Sequence, residues 1–469
     1  MEATNETMLA NTFAKFVVET DFSDIDSEVL DHLKQLTLKQ IMGMTLGATS
    51  PSSAKLLGYI KGNLGKPESG VYGSGFRTDV AHAALMNGFS SHASEMEDDQ
   101  FPGGGISDVT VWPALLTLAE WRNLSGRDML TALYVGHEMQ NRIAWWASEG
   151  TDRVGLLNLP FIGIYGATAA CARAIGLDEE QTRASFGLAM VTGLGYVYEM
   201  GTDAHFWESA LVCRNAVLNA LMAGNGFTSK PVIEKCLDRL TGGDKNIRFD
   251  KMTEGLGRAP YYAKNTWIKK WGFCFSSHVY VDILSDLAES ENITGDDIEE
   301  VAVHFDVNRN IILDRPLPTT IDDSRFSIQH ILAYQLVYGK CGVDTCSDRS
   351  LADQRVIEAR KKIRVIAHTN APLSITAGDG DLEVTLKDGR HFEKSMEQPY
   401  GGPLYPLTSG QVVDIFRMYS DGVMSEANID RVIDIVLDLD RQPNLRELFG
   451  ICTFPNRTQD AARNVTEPA

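Results

Sequence analysis

The apolar residues of this chain change their period twice, and that restricts what it can fold into. Up to about residue 255 they recur at i, i+3 and i+4, the spacing of one buried helix face. Within residues 111–120, Leu115, Leu118 and Ala119 keep that spacing. Ser125 and Asp128 stand at capping-box spacing before Met129 and Leu130, and Asp178 and Gln181 do so before Phe186 and Leu188. Residues 163–176 are rich in small side chains and suit a closely packed helix; their glycines do not make a GxGxxG fingerprint. After about residue 265 the period becomes two, as on half-buried strands: Val301, Val303 and Phe305, then Ile363, Val365 and Ala367. Leu382, Val384 and Leu386 lead into Lys387-Asp388-Gly389-Arg390, whose Asp-Gly step signals a hairpin. From Ser409 the helical period returns with Val412, Val413 and Phe416, then Val432, Ile433 and Val436, and after Thr453 a polar tail follows.

These changes predict a mainly α fold. A large helical domain is formed from both chain ends, residues 1–264 and 405–469, and residues 265–404 form a smaller α+β domain. Length alone, 469 residues, would allow about three domains; the return of the helical pattern reduces that to two.

Charge narrows the partners. Lys plus Arg total 43 against 63 Asp plus Glu, a formal net charge of −20. Such a chain carries no basic footprint for nucleic acid and is repelled by anionic membranes. A locally positive pocket for a small anionic substrate remains open to it. The seven cysteines are scattered, with no CxxC pair and no zinc-type Cys/His spacing, so they read as free thiols in a reducing cytoplasm. Residues 1–23 lack a basic start followed by an apolar run, so no signal peptide is predicted, and no apolar stretch of about 18 residues predicts a membrane span.

Four polar clusters are candidates for chemistry. In His92-Ala-Ser-Glu-Met-Glu-Asp-Asp99, the carboxylates Glu95, Glu97, Asp98 and Asp99 crowd together; on a helix Glu95 would share a face with Asp98 or Asp99. The run suits a hard cation, acid–base tuning, or simply a solvated acidic turn. Residues 102–105, Pro-Gly-Gly-Gly, read as a mobile loop beside it. In Lys269-Lys-Trp-Gly-Phe-Cys-Phe-Ser-Ser-His278, a lysine held against Trp271 and Phe273 would be partly desolvated and usable as a base; the alternative is a surface lysine above core aromatics. Cys274 and His278 are only two metal-type ligands. His205 and Trp207 fall in Gly201-Thr-Asp-Ala-His-Phe-Trp-Glu208. Arg325 follows Asp322 and either clamps a carboxylate or pairs with that aspartate.

The order and spacing of these clusters resemble the MmgE/PrpD family, which includes 2-methylcitrate dehydratases, cis-aconitate decarboxylases and iminodisuccinate epimerase. His92-x-x-Glu-x-x-Asp-Asp99 resembles the family's acidic stretch and residues 163–170 its small-residue helix. Lys269, Cys274 and His278 are similar to its Lys-x4-(Cys/His)-x3-His pattern, and Arg325-Phe-Ser327 to its Lys-Phe-Ser motif. The resemblance implies a large helical domain, an α+β lid, a homodimer, no metal or organic cofactor, and an active site between the domains. It also implies bond breaking on a carbon next to a carboxylate, whose enediolate-like charge needs a placed base and preorganised cations or donors.

Several family positions differ. Where the family has histidines, this chain has Ile106-Ser107 and Leu157; where it has a lysine, His205; and the late Lys-Pro-Leu is Tyr405-Pro406-Leu407. Lys269 is the family cation retained. A tri- or dicarboxylate would lose partners worth about 1.5–3 kcal/mol each, which predicts a less charged small organic acid with an apolar or aromatic part. The expected roles are Lys269 and His205 in acid–base catalysis. Glu95, Asp98, Asp99, His278 and Arg325 orient substrate or catalyst, and Ile106, Leu157, Trp207 and Tyr405 line the pocket. The reaction expected is dehydration or decarboxylation, with epimerisation and non-catalytic ligand binding as alternatives.

Overall fold

The structure is a computed structural model and describes residues 8–456 apart from 101, 102, 104, 260, 307–310 and 369–377. The predicted mainly α class is what it shows: nineteen α-helices and two small sheets among the described residues. The chain divides into two compact units, Met1–Thr266 with Thr408–Ala469, and Trp267–Leu407.

In the first unit, capping places the helices. Asp178 and Gln181 form the reciprocal box that starts the Glu179–Ala189 helix. The Ser125 hydroxyl accepts the Asp128 backbone N–H at 3.2 Å where the Gly126–Arg153 helix begins. That helix packs on the small-residue helix Asn158–Ala174 through facing glycines. A Cβ on Gly166 would stand 2.7 Å from the Gly136 carbonyl oxygen, so the two backbones can approach this closely only without side chains there. A short hairpin, β1 (Ser69–Val71) with β2 (Phe76–Thr78), belongs to the same unit, as does the helix Ser409–Ser420, started by a Thr408–Gln411 capping box.

The second unit is built on a four-stranded sheet of order β4-β3-β5-β6: β3 (Ile298–Asp306), β4 (Ile363–His368), β5 (Gly380–Leu386) and β6 (His391–Met396). β3 runs parallel to β4 and antiparallel to β5, with Val303 opposite both Val365 and Leu382. The β5–β6 hairpin closes at Gly389, whose φ of 90° is the left-handed conformation its Asp-Gly signal implied. Val301, Val303, Phe305, Leu382, Val384 and Leu386 are buried in one core with residues of the helices His278–Glu291 and Ile328–Tyr338. No described helix is long and apolar enough to cross a membrane.

Candidate active site

In the first unit two antiparallel helices set the main cluster. The helix Val80–Ala93 starts on Asp79, whose side chain accepts the His82 N–H. The helix Asp203–Gly224 starts on Thr202, whose hydroxyl accepts the Ala204 N–H. They meet at Gly88: a Cβ there would lie 2.7 Å from Cys213 Sγ and 3.0 Å from the Ser209 carbonyl oxygen, and the Ser209 hydroxyl donates to the Gly88 carbonyl at 2.9 Å. One helical turn from that contact, on from Gly88 and back from Ser209, the rings of His92 and His205 face each other with centroids 4.2 Å apart.

The first of these helices ends at Ala93, and Glu95 then takes a φ of 55°. A left-handed non-glycine residue costs roughly 1–2 kcal/mol, so the surrounding structure holds it there. Residues 94–99 are therefore not helical, and Glu95, Asp98 and Asp99 do not share a helix face. Nor is the run a solvated turn: Glu95, Glu97, Asp98 and Asp99 are all buried. Of residues 102–105, only Gly103 and Gly105 lie within the described residues, so the loop reading there falls partly outside them.

Glu95 joins the two histidines. His92, Glu95 and His205 each offer a ligand-type atom, all within 4.8 Å of one another, and they are the one such group of three among the described residues. His205 Nδ1 lies 3.4 Å from Glu208 Oε2, and Glu208 Oε1 accepts the Tyr196 N–H at 3.0 Å. Trp207 lines a surface cleft of about 290 Å³ with Lys55, Phe89 and Asp203. Ile106 packs on an apolar cluster that contains Leu157, Val109 and Leu159.

Asp98 turns away into a second polar network. Its Oδ2 accepts the Ser107 hydroxyl at 2.7 Å and its Oδ1 the Asp108 N–H at 3.2 Å. Asp108 accepts from Lys39 Nζ at 2.7 Å, with both side chains fully buried. Burial raises the Asp98 carboxyl, and burial together with the Asp98 charge raises Asp108 well above the usual range; Lys39 opposes both. Ser107 also meets His137 Nδ1 at 2.7 Å, while His137 Nε2 reaches the Ala263 carbonyl at 3.0 Å. Burial lowers His137 to about 3, so it is neutral. Sequence reasoning missed Lys39, Asp108 and His137. The available signal was a lysine inside the apolar run Leu36-Thr-Leu-Lys39-Gln-Ile-Met42.

In the second unit, Lys269 is 1% exposed. Its neighbour Lys270 stands over the Trp271 ring: Lys270 Nζ lies 4.2 Å from the Trp271 centroid and 4.9 Å from that of Tyr400, and it pairs with Asp282. His278 is fully buried among Trp271, Phe273 and Phe275, with ring centroids 5.1, 4.9 and 5.3 Å away. Burial, then the charges of Lys269 and Lys270, push His278 well below its usual range, so it is neutral. Its Nε2 donates to the Phe273 carbonyl at 3.4 Å, and among the described residues its Nδ1 has no hydrogen-bond partner. A buried, uncharged imidazole with an accepting nitrogen beside a buried ammonium can take a proton or orient a hydroxyl. Arg325 pairs with Asp322 at 3.2 Å, and its carbonyl accepts the Cys274 N–H at 3.0 Å, which ties it to the Lys269–His278 segment. Tyr405 is 42% exposed, with its ring 5.7 Å from that of Tyr400. Cys274 belongs to no three-ligand group among the described residues.

Fold and clusters together define a mainly helical protein with buried ionisable groups in both units. Residues 11–243 match the MmgE/PrpD N-terminal domain and residues 271–441 the MmgE/PrpD C-terminal domain. The chain belongs to the MmgE/PrpD family. It is 26% identical over 481 residues to the cis-aconitate decarboxylase of Aspergillus terreus, covering 92% of this chain and 93% of that one. The human cis-aconitate decarboxylase is 22% identical, with 97% of each chain covered. The 2-methylcitrate dehydratase of Escherichia coli is 25% identical, covering 88% of this chain and 91% of that one. Decarboxylases and dehydratases are lyases, so these relatives are lyase-type enzymes.

Proposed function

We propose that this protein is a lyase, a dehydratase or decarboxylase, that works without an organic cofactor on a small organic acid and breaks a bond on a carbon next to a carboxylate or carbonyl. Lys269 carries the reading. A buried lysine whose charge bears on a neutral imidazole is placed to meet charge that forms during a reaction. Lys269 stabilises the enediolate-like charge, and His205, flanked by His92 and Glu95, moves the proton. In dehydration the base removes the proton next to the carboxylate, the carbon–carbon double bond forms, and the hydroxyl leaves as water with a proton from the acid. In decarboxylation the bond to the carboxylate breaks, carbon dioxide leaves, and the electron pair left behind is protonated. The apolar cluster around Ile106 and Leu157 supports a substrate less charged than citrate-like acids, with an apolar or aromatic part.

The test is a screen of hydroxy and unsaturated acids in deuterated water, read for product and for deuterium at carbon. Against the substrate it identifies, Lys269→Ala and the near-isosteric Lys269→Met lose about 10²–10⁴-fold in kcat/KM, the scale of a placed acid–base or charge-stabilising group. Retention of activity within about tenfold of wild type by a folded Lys269→Met protein refutes the mechanism.

A further inference from the structure

We propose that His92, Glu95 and His205 form a binding site for a zinc-type dication, and that the ion occupies it as an inhibitor. Their ligand-type atoms lie within 4.8 Å of one another. Zinc bonds of about 2.0–2.2 Å place ligand atoms roughly 3.5 Å apart, so an ion has to draw these side chains in by about an ångström. All three are buried, and they come from two packed helices and the turn that ends one of them. The chemistry of the set selects the ion. Two imidazoles and one carboxylate suit zinc, cobalt and nickel, whereas magnesium and calcium take oxygen shells. Three protein ligands leave a fourth position for water or a carboxylate of the substrate.

Glu208 strengthens the case. Its carboxylate stands 3.4 Å from His205 Nδ1. A carboxylate on one ring nitrogen orients the imidazole and raises the basicity of the other, which is how metal-bound histidines are commonly supported. The same lone pairs serve proton transfer in the function proposed above. An ion bound there takes them out of use, so the inhibitory half of the inference rests on that function. The binding half does not.

Full-length protein stripped with chelator is titrated with Zn²⁺ by calorimetry and with Co²⁺ by visible absorption, and the zinc form is examined by X-ray absorption. The expected result is one saturable ion whose shell contains two imidazoles. His205→Gln abolishes that site, and Glu208→Gln weakens it by about 10–100-fold, with far-UV circular dichroism confirming both folds. The X-ray absorption measurement needs no variant, so misfolding cannot mask the answer. No saturable binding overturns the site. So does stoichiometry unchanged in His205→Gln, which would place the ion elsewhere, for instance at the His304–His368 pair of the second unit, where the nitrogens lie 2.8 Å apart. Zinc that binds as expected yet leaves turnover intact overturns the inhibitory half, and with it the role of His205 in proton transfer.

Discussion

Replacing Lys39 by methionine tests how the buried network behind Asp98 is held. Lys39 Nζ and Asp108 Oδ2 are 2.7 Å apart, with both side chains 0% exposed. At that distance the attraction is about 6 kcal/mol at an effective dielectric of about 20, set against several kcal/mol of desolvation per ion. Lys39→Met keeps the bulk and removes the charge, so the desolvation remains without the attraction. The carboxyls respond by keeping protons. Asp98 and Asp108 are both already raised from 3.8 by burial, with Lys39 opposing the rise. Without Lys39 one further proton is retained. Holding it at pH 7 on a group that ionises near 3.8 when unfolded costs about 4 kcal/mol, and at pH 5 about 1.5 kcal/mol. The sign follows from proton counting. The folded variant binds a proton that the unfolded chain releases above pH 3.8, so the variant loses stability as pH rises and regains it as pH falls. Guanidinium unfolding at pH 5, 6 and 7, followed by tryptophan fluorescence, measures the gap. Trp112 reports on the helix Ser27–Gly47, which carries Lys39, because its Nε1 donates to the Thr37 hydroxyl at 2.9 Å. Adding Asp108→Asn to Lys39→Met recovers most of the loss at pH 7. A gap that does not change with pH, or no recovery on the second substitution, refutes the account.

Two further predictions address the candidate site. Because Glu95 has a φ of 55°, Glu95→Gly is more stable than Glu95→Ala by about 1 kcal/mol in chemical denaturation, while both lose turnover and zinc affinity; equal stability refutes the strain argument. His278 stays neutral, with its proton on Nε2, through the pH range in which a free histidine titrates, as read in ¹⁵N-resolved imidazole spectra. Its depressed folded value adds stability above the unfolded histidine range that is lost as pH falls; titration near 6.5 refutes its burial against Lys269 and Lys270.

Much of the fold was legible because period is a local property. Three residues on β5 alternating into the core, an Asp-Gly step with a left-handed glycine, and the Asp178–Gln181 box are written in adjacent positions, and the structure has each of them. The candidate site was legible in its parts. His92, Glu95, His205, Lys269 and His278 stood out as ionisable groups in unusual company, and the family resemblance ordered them. The errors came where the local reading met tertiary packing. The acidic run reads as helix or solvated turn because its own residues say nothing about burial, and its helix stops one residue before Ser94.

What brings His92 to His205 is not a property of either segment. The contact depends on Gly88, an unremarkable small residue in a helical stretch, where Ser209 and Cys213 fill the space a side chain would need. Sequence pattern marks Gly88 only as a weak point in a helix, costing about 1 kcal/mol relative to alanine. In the folded chain it sets the approach of the two helices, and one turn away that approach decides which imidazoles face each other. The polar groups at each helix end could be read from the chain. Their pairing could not, because it is decided by a position that carries no chemistry of its own.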